Sequence, residues 1–154
     1  MGILFEQSSV YSFEKIYAVR YMSKTVVSEI ADRAAFFHLL GHNPGLIVLK
    51  LGASWCGPCK VIEKEVHAFF ASSPDDVVCG DIDVDESFDF YSFLKSKKMV
   101  DGIPVLLCYK KGNQTFIPDD SITGANIPEL INFFKRCGGH LATVRRDLPG
   151  KIKN

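Results

Sequence analysis

The sequence predicts an α/β sandwich built on one central mixed sheet. Three observations carry that expectation. Strand patterns alternate with amphipathic helical patterns through the middle of the chain, the last strands close back through a turn at Lys110-Lys-Gly-Asn113, and no linker or internal repeat divides the 154 residues. A chain of this length suits one well-packed core, and alternation of this kind favours helices packed on a sheet.

Taken in order, residues 1–22 fit two patterns. Tyr11, Phe13, Tyr17, Val19 and Tyr21 alternate as in a strand, whereas Val10, Phe13, Tyr17 and Tyr21 also suit a helical face. Residues 25–30 form a β-branched strand candidate, and Asp32 is placed to cap a helix presenting Ala35, Phe36, Leu39 and Leu40. His42-Asn-Pro-Gly45 breaks the chain. Residues 46–51 are apolar except for Lys50, as expected of a strand buried on both faces. Ile62, Val66, Phe69 and Phe70 then recur at helical spacing until Ser72-Ser-Pro74. Residues 77–84 read as a strand, 87–97 as a helix on Phe90, Phe93 and Leu94, and 105–109 as another strand. Residues 114–117, extended by 121–123, read as an interrupted final strand that Pro118 keeps away from a central position. A helix over 128–136 is expected to end at Gly138-Gly139.

Composition excludes several classes. Hydrophobic residues make up 47% and charged residues 23%, with 18 basic and 18 acidic side chains, so no net field attracts nucleic acid. Arg145, Arg146, Lys151 and Lys153 against Asp147 are expected to form a solvated basic tail. Residues Met1-Gly-Ile-Leu-Phe-Glu6 lack the pattern of a secretory leader, and Glu6 stands where a myristoylation motif wants Ser or Thr. No apolar run approaches the roughly 20 residues that span a bilayer. Five cysteines, an odd number scattered along the chain, do not make a secreted disulfide framework, so a reducing cytoplasmic compartment is expected.

Trp55-Cys56-Gly57-Pro58-Cys59-Lys60 carries the chemistry. Two thiols at this spacing interconvert with a small-ring disulfide, and here a strand delivers the chain into the motif while a helix leaves it. A thiolate is the attacking species. Cys56, where the helix begins, faces unpaired N–H groups and the positive end of the helix dipole. Cys59, one turn in, is expected to be more buried. Cys56 therefore attacks a substrate disulfide, and Cys59 resolves the mixed disulfide. Gly57 permits the turn and Pro58 stiffens it. Zinc and iron–sulfur sites are the chemical rivals, but there is no second Cys-x-x-Cys, and His38, His42, His67 and His140 offer no convincing ligand set. Cys79 and Cys108, within apolar strands, read as core residues, while nothing in the sequence decides whether Cys137, at the expected helix end, is an exposed, oxidisable thiol.

The Trp-Cys-Gly-Pro-Cys-Lys motif, the strand before it and the later Gly102-Ile103-Pro104 resemble the thioredoxin family over residues 23–138, with 1–22 and 139–154 as an N-terminal extension and a basic C-terminal tail. The resemblance implies the thioredoxin fold, a central mixed β-sheet flanked by helices. It implies a cis peptide bond before Pro104 beside the thiols, and a shallow docking surface of Trp55, Gly57, Pro58, Ile103, Pro104, Gly124 and Ala125, against which an extended substrate adds its backbone. It also implies protein disulfide substrates, no bound cofactor, and electrons from an NADPH-dependent flavin reductase or a glutathione system. Nucleic acid and membrane are not expected partners. A dedicated redox partner of a peroxidase or reductase is the enzymatic variant, and a binding module with idle cysteines is the other class.

Two departures from the family pattern bear on the chemistry. A buried aspartate usually stands six residues before the first cysteine, and this chain has Lys50 there. On the neighbouring strand, where some members place a lysine, it has Asp81. A buried lysine is costly alone, so Lys50 is expected to bond to Asp81 or lose its proton, or else to snorkel outward. A charged Lys50 near the thiols favours the reduced form. The stretch from Gly112 to Gly124, with Pro118-Asp-Asp120, also looks longer than the family commonly has.

Overall fold

A computed structural model of the chain describes residues 16–21 and 24–148. The expectations placed on Val10, Tyr11, Phe13, Lys151 and Lys153 lie outside the described residues. The elements in order are β1 (Ile16–Tyr21), β2 (Lys24–Ile30), α1 (Arg33–Gly41), β3 (Leu46–Gly52), α2 (Gly57–Val61), α3 (Glu63–Ser72), β4 (Val77–Asp83), α4 (Phe88–Ser96), β5 (Val105–Lys110), β6 (Asp120–Thr123) and α5 (Ile127–Arg146). Six strands form one mixed sheet in the order β1-β2-β4-β3-β5-β6.

The apolar run of residues 46–51 becomes the central strand because it meets a neighbour on each side and a helical layer on each face. β3 runs parallel to β4 and antiparallel to β5. Ile47, Leu49 and Leu51 point into a core shared with Phe36, Phe90 and Tyr109. Leu46 and Val48 point the other way, against Val66, Phe70 and Phe133. Strand periodicity then decides where the charges go. Lys50 continues the Leu46–Val48 series, and Asp81 continues Val77 and Cys79 on β4, so both belong to the face covered by α3 and α5.

Asp32 caps α1 as the sequence indicates, its Oδ1 accepting from the Ala35 N–H at 2.9 Å. Of the two patterns in the N-terminal segment, the strand holds for Ile16–Tyr21, which pairs antiparallel with β2. The sheet therefore begins before residue 23.

Three expectations are corrected. The helix expected to stop at Gly138-Gly139 runs on to Arg146. Phe133, Cys137 and Leu141 bury one continuous stripe, and that packing outweighs the roughly 1 kcal/mol each helical glycine costs. Arg145 is consequently no solvated tail residue: its Nε and Nη2 donate to the two oxygens of Asp76, each at 2.8 Å. Cys137, whose exposure the sequence leaves open, is 1% accessible because it lies on that buried stripe. Residues 114–117 form no strand, since Asn113 and Thr115 close that loop on themselves and Asn113 Nδ2 donates to the Ile117 carbonyl at 2.9 Å. Of the interrupted final strand only β6 forms, pairing with β5 at the sheet edge, as Pro118 requires.

Candidate active site

β3 ends at Gly52, and the chain turns through Ala53, Ser54 and Trp55 into α2. Cys56 is the N-cap of that helix, its backbone extended at φ −89° and ψ 108°, and its sulfur accepts from the Cys59 N–H at 3.2 Å. Cys56 and Cys59 are joined as a disulfide with their Cα atoms 5.3 Å apart. Both residues are buried, at 5% and 3% accessibility. In the oxidised state the expected difference in exposure between them is therefore slight. The helical pattern after Cys59 divides at Ile62 into α2 and α3, whose first turn carries Glu63 and Glu65.

The rim residues gather at one end of the sheet. Trp55 is 69% exposed, and its Nε1–H donates to Asp85 Oδ2 at 2.7 Å, tying the thiol loop to the turn after β4. Gly57 and Pro58 are exposed above the disulfide. The Ile103–Pro104 peptide bond is cis. Val105, just after it, pairs with Leu51 at the end of β3 that leads into the thiol loop. Thr123 pairs with Val105 in turn, and Gly124, at φ +103°, donates its N–H to the Pro104 carbonyl at 2.9 Å. That left-handed conformation favours glycine. The Pro104 carbonyl is thus engaged within the chain.

Beneath the disulfide, Lys50 and Asp81 stand directly opposite each other in the β3–β4 register. Lys50 Nζ lies 3.0 Å from Asp81 Oδ1, with side-chain accessibilities of 9% and 14%. Of the expected outcomes for Lys50, pairing is the one observed. The second Asp81 oxygen, Oδ2, lies 3.0 Å from His67 Nε2 on α3. An open cleft of about 230 Å³ is lined by Lys50, Cys59, Lys60, Glu63, Asp81 and Asp83 among others. Gly52 sets its depth: a Cβ there would stand 3.1 Å from Cys59 Sγ and 3.1 Å from Lys50 Nζ. Both atoms therefore approach one point, which puts the ammonium within about 6 Å of the sulfur, inside the range where a charge stabilises a thiolate.

The remaining cysteines, Cys79, Cys108 and Cys137, lie in the core on this same face. Burial pushes the Cys79 thiol above its ordinary value, partly offset by its contact with Ser73 at 3.2 Å. The hydrogen bond with Cys137, together with burial, raises Cys108. Both are poor nucleophiles in the folded state. Among the described residues, no group of three or more His, Cys, Asp or Glu side chains converges as a metal-ligand set.

The sequence missed His67, Asp85 and the close approach at Gly52. Asp85 had a signal, as the third carboxylate of the alternating Asp81-Ile-Asp83-Val-Asp85 run. His67 had none, since it flanks the apolar Val66 and Phe70 stripe and meets Asp81 only when α3 packs on the sheet.

A dithiol couple seated where a buried strand passes into a helix, with an open face above and an ion pair below, defines a thiol–disulfide oxidoreductase. The sequence matches the family described as thioredoxin over residues 27–136. The chain belongs to the thioredoxin family. It is 31% identical over 106 residues to the thioredoxin of Equus caballus, covering 68% of this chain and 92% of that protein. Among solved structures, an oxidised mitochondrial thioredoxin 3 of Saccharomyces cerevisiae superposes with a TM-score of 0.56 at 27% identity, covering 71% of this chain and 93% of that one. A thioredoxin of Nicotiana alata gives a TM-score of 0.56 at 28% identity, covering 74% and 91%.

Proposed function

We propose that Cys56 is the attacking thiol and Cys59 the resolving thiol of a protein disulfide reductase. The observation that carries this reading is the Cys56–Cys59 disulfide at the N-terminus of α2, beside a cleft that holds the Lys50 ammonium. The Cys56 thiolate attacks one sulfur of a substrate disulfide, and the other substrate sulfur leaves as a thiolate that takes up a proton. Cys59 then loses its proton and attacks Cys56, which releases the second substrate thiol and restores the Cys56–Cys59 bond. Two electrons pass to the substrate, and two must return from a donor. An NADPH-dependent flavin reductase or a glutathione system supplies them, and the chain acts as an electron carrier without a bound cofactor.

Trp55, Gly57, Pro58, Ile103, Pro104 and Gly124 form the docking rim. The exposed Trp55 ring and the exposed Gly57–Pro58 step support this, as does the shared sheet end that carries Pro104 and Gly124. With the Pro104 carbonyl held by Gly124, an extended substrate pairs with Ile103. The reductase domain is residues 23–138, to which β1 and the last turns of α5 add edge and length. A cytoplasmic location is consistent with Cys79, Cys108 and Cys137 remaining thiols, and no described helix is long and apolar enough to cross a membrane.

Insulin disulfide reduction with a dithiol donor tests the assignment. Turnover abolished by Cys56→Ser, together with mixed disulfides captured by Cys59→Ser, is the expected result. Intact partner binding without turnover in the unmodified chain would make it a binding module instead.

A further inference from the structure

We propose that His67 is a positioning residue for the thiol couple, acting through Asp81 to hold the Lys50 ammonium against Cys59. The inference rests on the oxidoreductase reading above and adds a third residue to the pair beneath the disulfide. Its starting point is the division of labour on one carboxylate. Asp81 Oδ1 faces Lys50 Nζ at 3.0 Å, and Oδ2 faces His67 Nε2 at 3.0 Å. A carboxylate held at both oxygens cannot turn about its own axis, so the direction in which it offers Oδ1 is fixed by α3 as well as by β4.

That matters because lysine is a point charge on a flexible four-carbon stem. Its field at a neighbouring atom depends on where the stem is held. Here the stem passes over Gly52 and brings Nζ to the same point that Cys59 Sγ approaches, each 3.1 Å from where a glycine Cβ would be. Lys50 is 7% accessible, whereas the His67 side chain is 36% accessible. The histidine thus links the surface of α3 to the charge beneath the disulfide. Lys60, Glu63 and Asp83 also line the cleft. When His67 is removed, one of the contacts that orient Asp81 is lost, and the carboxylate draws the ammonium away from the sulfur. The dithiol form then loses stabilisation of its Cys59 thiolate, and the couple becomes more reducing.

The test is the equilibrium of the Cys56–Cys59 couple with glutathione. Two glutathione thiols reduce the disulfide and become one glutathione disulfide, with two electrons and two protons transferred, so the constant is read without any protein substrate. His67→Ala is expected to shift that constant toward the disulfide by about threefold to tenfold, the usual size of coupling between contacting groups. His67→Gln, which keeps a hydrogen-bonding group on α3, is expected to restore most of the shift. In an Asp81→Asn background the His67→Ala change is expected to have no further effect. An unchanged constant in His67→Ala, or an equal shift with Asp81 intact and Asp81 replaced, would overturn the proposal. Insulin turnover by the unmodified chain is measured in parallel, so loss of the reductase reading shows there, separately from the equilibrium.

Discussion

Lys50 and Asp81 face each other across β3 and β4 with their charges 3.0 Å apart, and it is the cation that shares the space above Gly52 with the Cys59 sulfur. A carboxylate at the position of Lys50 would repel a Cys59 thiolate and serve as a base. An ammonium there attracts the thiolate and, while charged, cannot accept its proton. The chain therefore sets a cation, paired with Asp81, beside the Cys59 sulfur.

Lys50→Met tests this directly, because it keeps the length of the side chain and removes the charge. The thiolate of Cys59 loses its counter-charge, so the reduced form is disfavoured and the reduction potential is expected to fall by about 30 mV or more, equivalent to a tenfold change in the equilibrium constant. Stability is expected to drop by about 1–3 kcal/mol as Asp81 loses one partner and keeps His67. Glutathione titration and thermal melting give the two values. A potential unchanged from the parent would remove Lys50 from the chemistry.

Gly52→Ala places a methyl group 3.1 Å from both Cys59 Sγ and Lys50 Nζ. Both must give by a few tenths of an ångström, at a cost of about 1–3 kcal/mol for an overpacked site, and the two displacements have different signatures. Displaced Lys50 lowers the potential, as in Lys50→Met. Displaced Cys59 slows release from the mixed disulfide. Stopped-flow measurement of release, paired with the equilibrium titration, tells which has occurred; wild-type values for both would mean the cleft has slack that the structure does not display.

Acid should loosen α5 from the sheet. Arg136 hydrogen-bonded to Asp120, with His140 adding to it, holds that carboxyl at about 2, below its ordinary 3.8. The ionised form is thus favoured by folding, and the associated stability is complete above about pH 4 and lost as the pH falls through 2. Allowing for the exposed Arg136, it amounts to about 1–2 kcal/mol. Arg145 lowers Asp76 in the same sense. Asp120→Asn is expected to remove most of this acid dependence, read as the denaturant midpoint at pH 7 against pH 3.

Gly138→Ala and Gly139→Ala should each stabilise the chain. Both residues sit within α5, and a Cβ at either would meet nothing within 4 Å. Replacing an exposed helical glycine by alanine gains about 0.5–1 kcal/mol. Thermal melting of the double variant is expected to show the two effects adding, and a loss of stability would mean that the helix is broken there in solution.

Much of this architecture was legible in the residues because periodicity reports which face of an element is buried. The five apolar positions around Lys50 identified β3, and the alternation Val77, Cys79, Asp81 put its partner on the same face. Asp32 announced the start of α1, and Pro118 announced an edge. The errors arose where a local signal met a larger packing term. Gly138-Gly139 reads as a stop, yet Cys137 and Leu141 bury enough surface to carry the helix through it. Residues 114–117 have strand composition, yet Asn113 and Thr115 offer their backbone nearer partners.

By itself, the sequence determined the reaction type, since thiols two residues apart between a strand and a helix have a redox couple as their natural chemistry, and it determined that a lysine and an aspartate would replace the usual arrangement below them. Only the tertiary structure decided that Lys50 meets Cys59 over Gly52, that His67 takes the second oxygen of Asp81, and that both cysteines are buried once joined. The physical reason is the same for all three: spacing within an element fixes its faces, whereas contacts between elements depend on how α3 and the thiol loop settle on the sheet, which no period in the chain encodes.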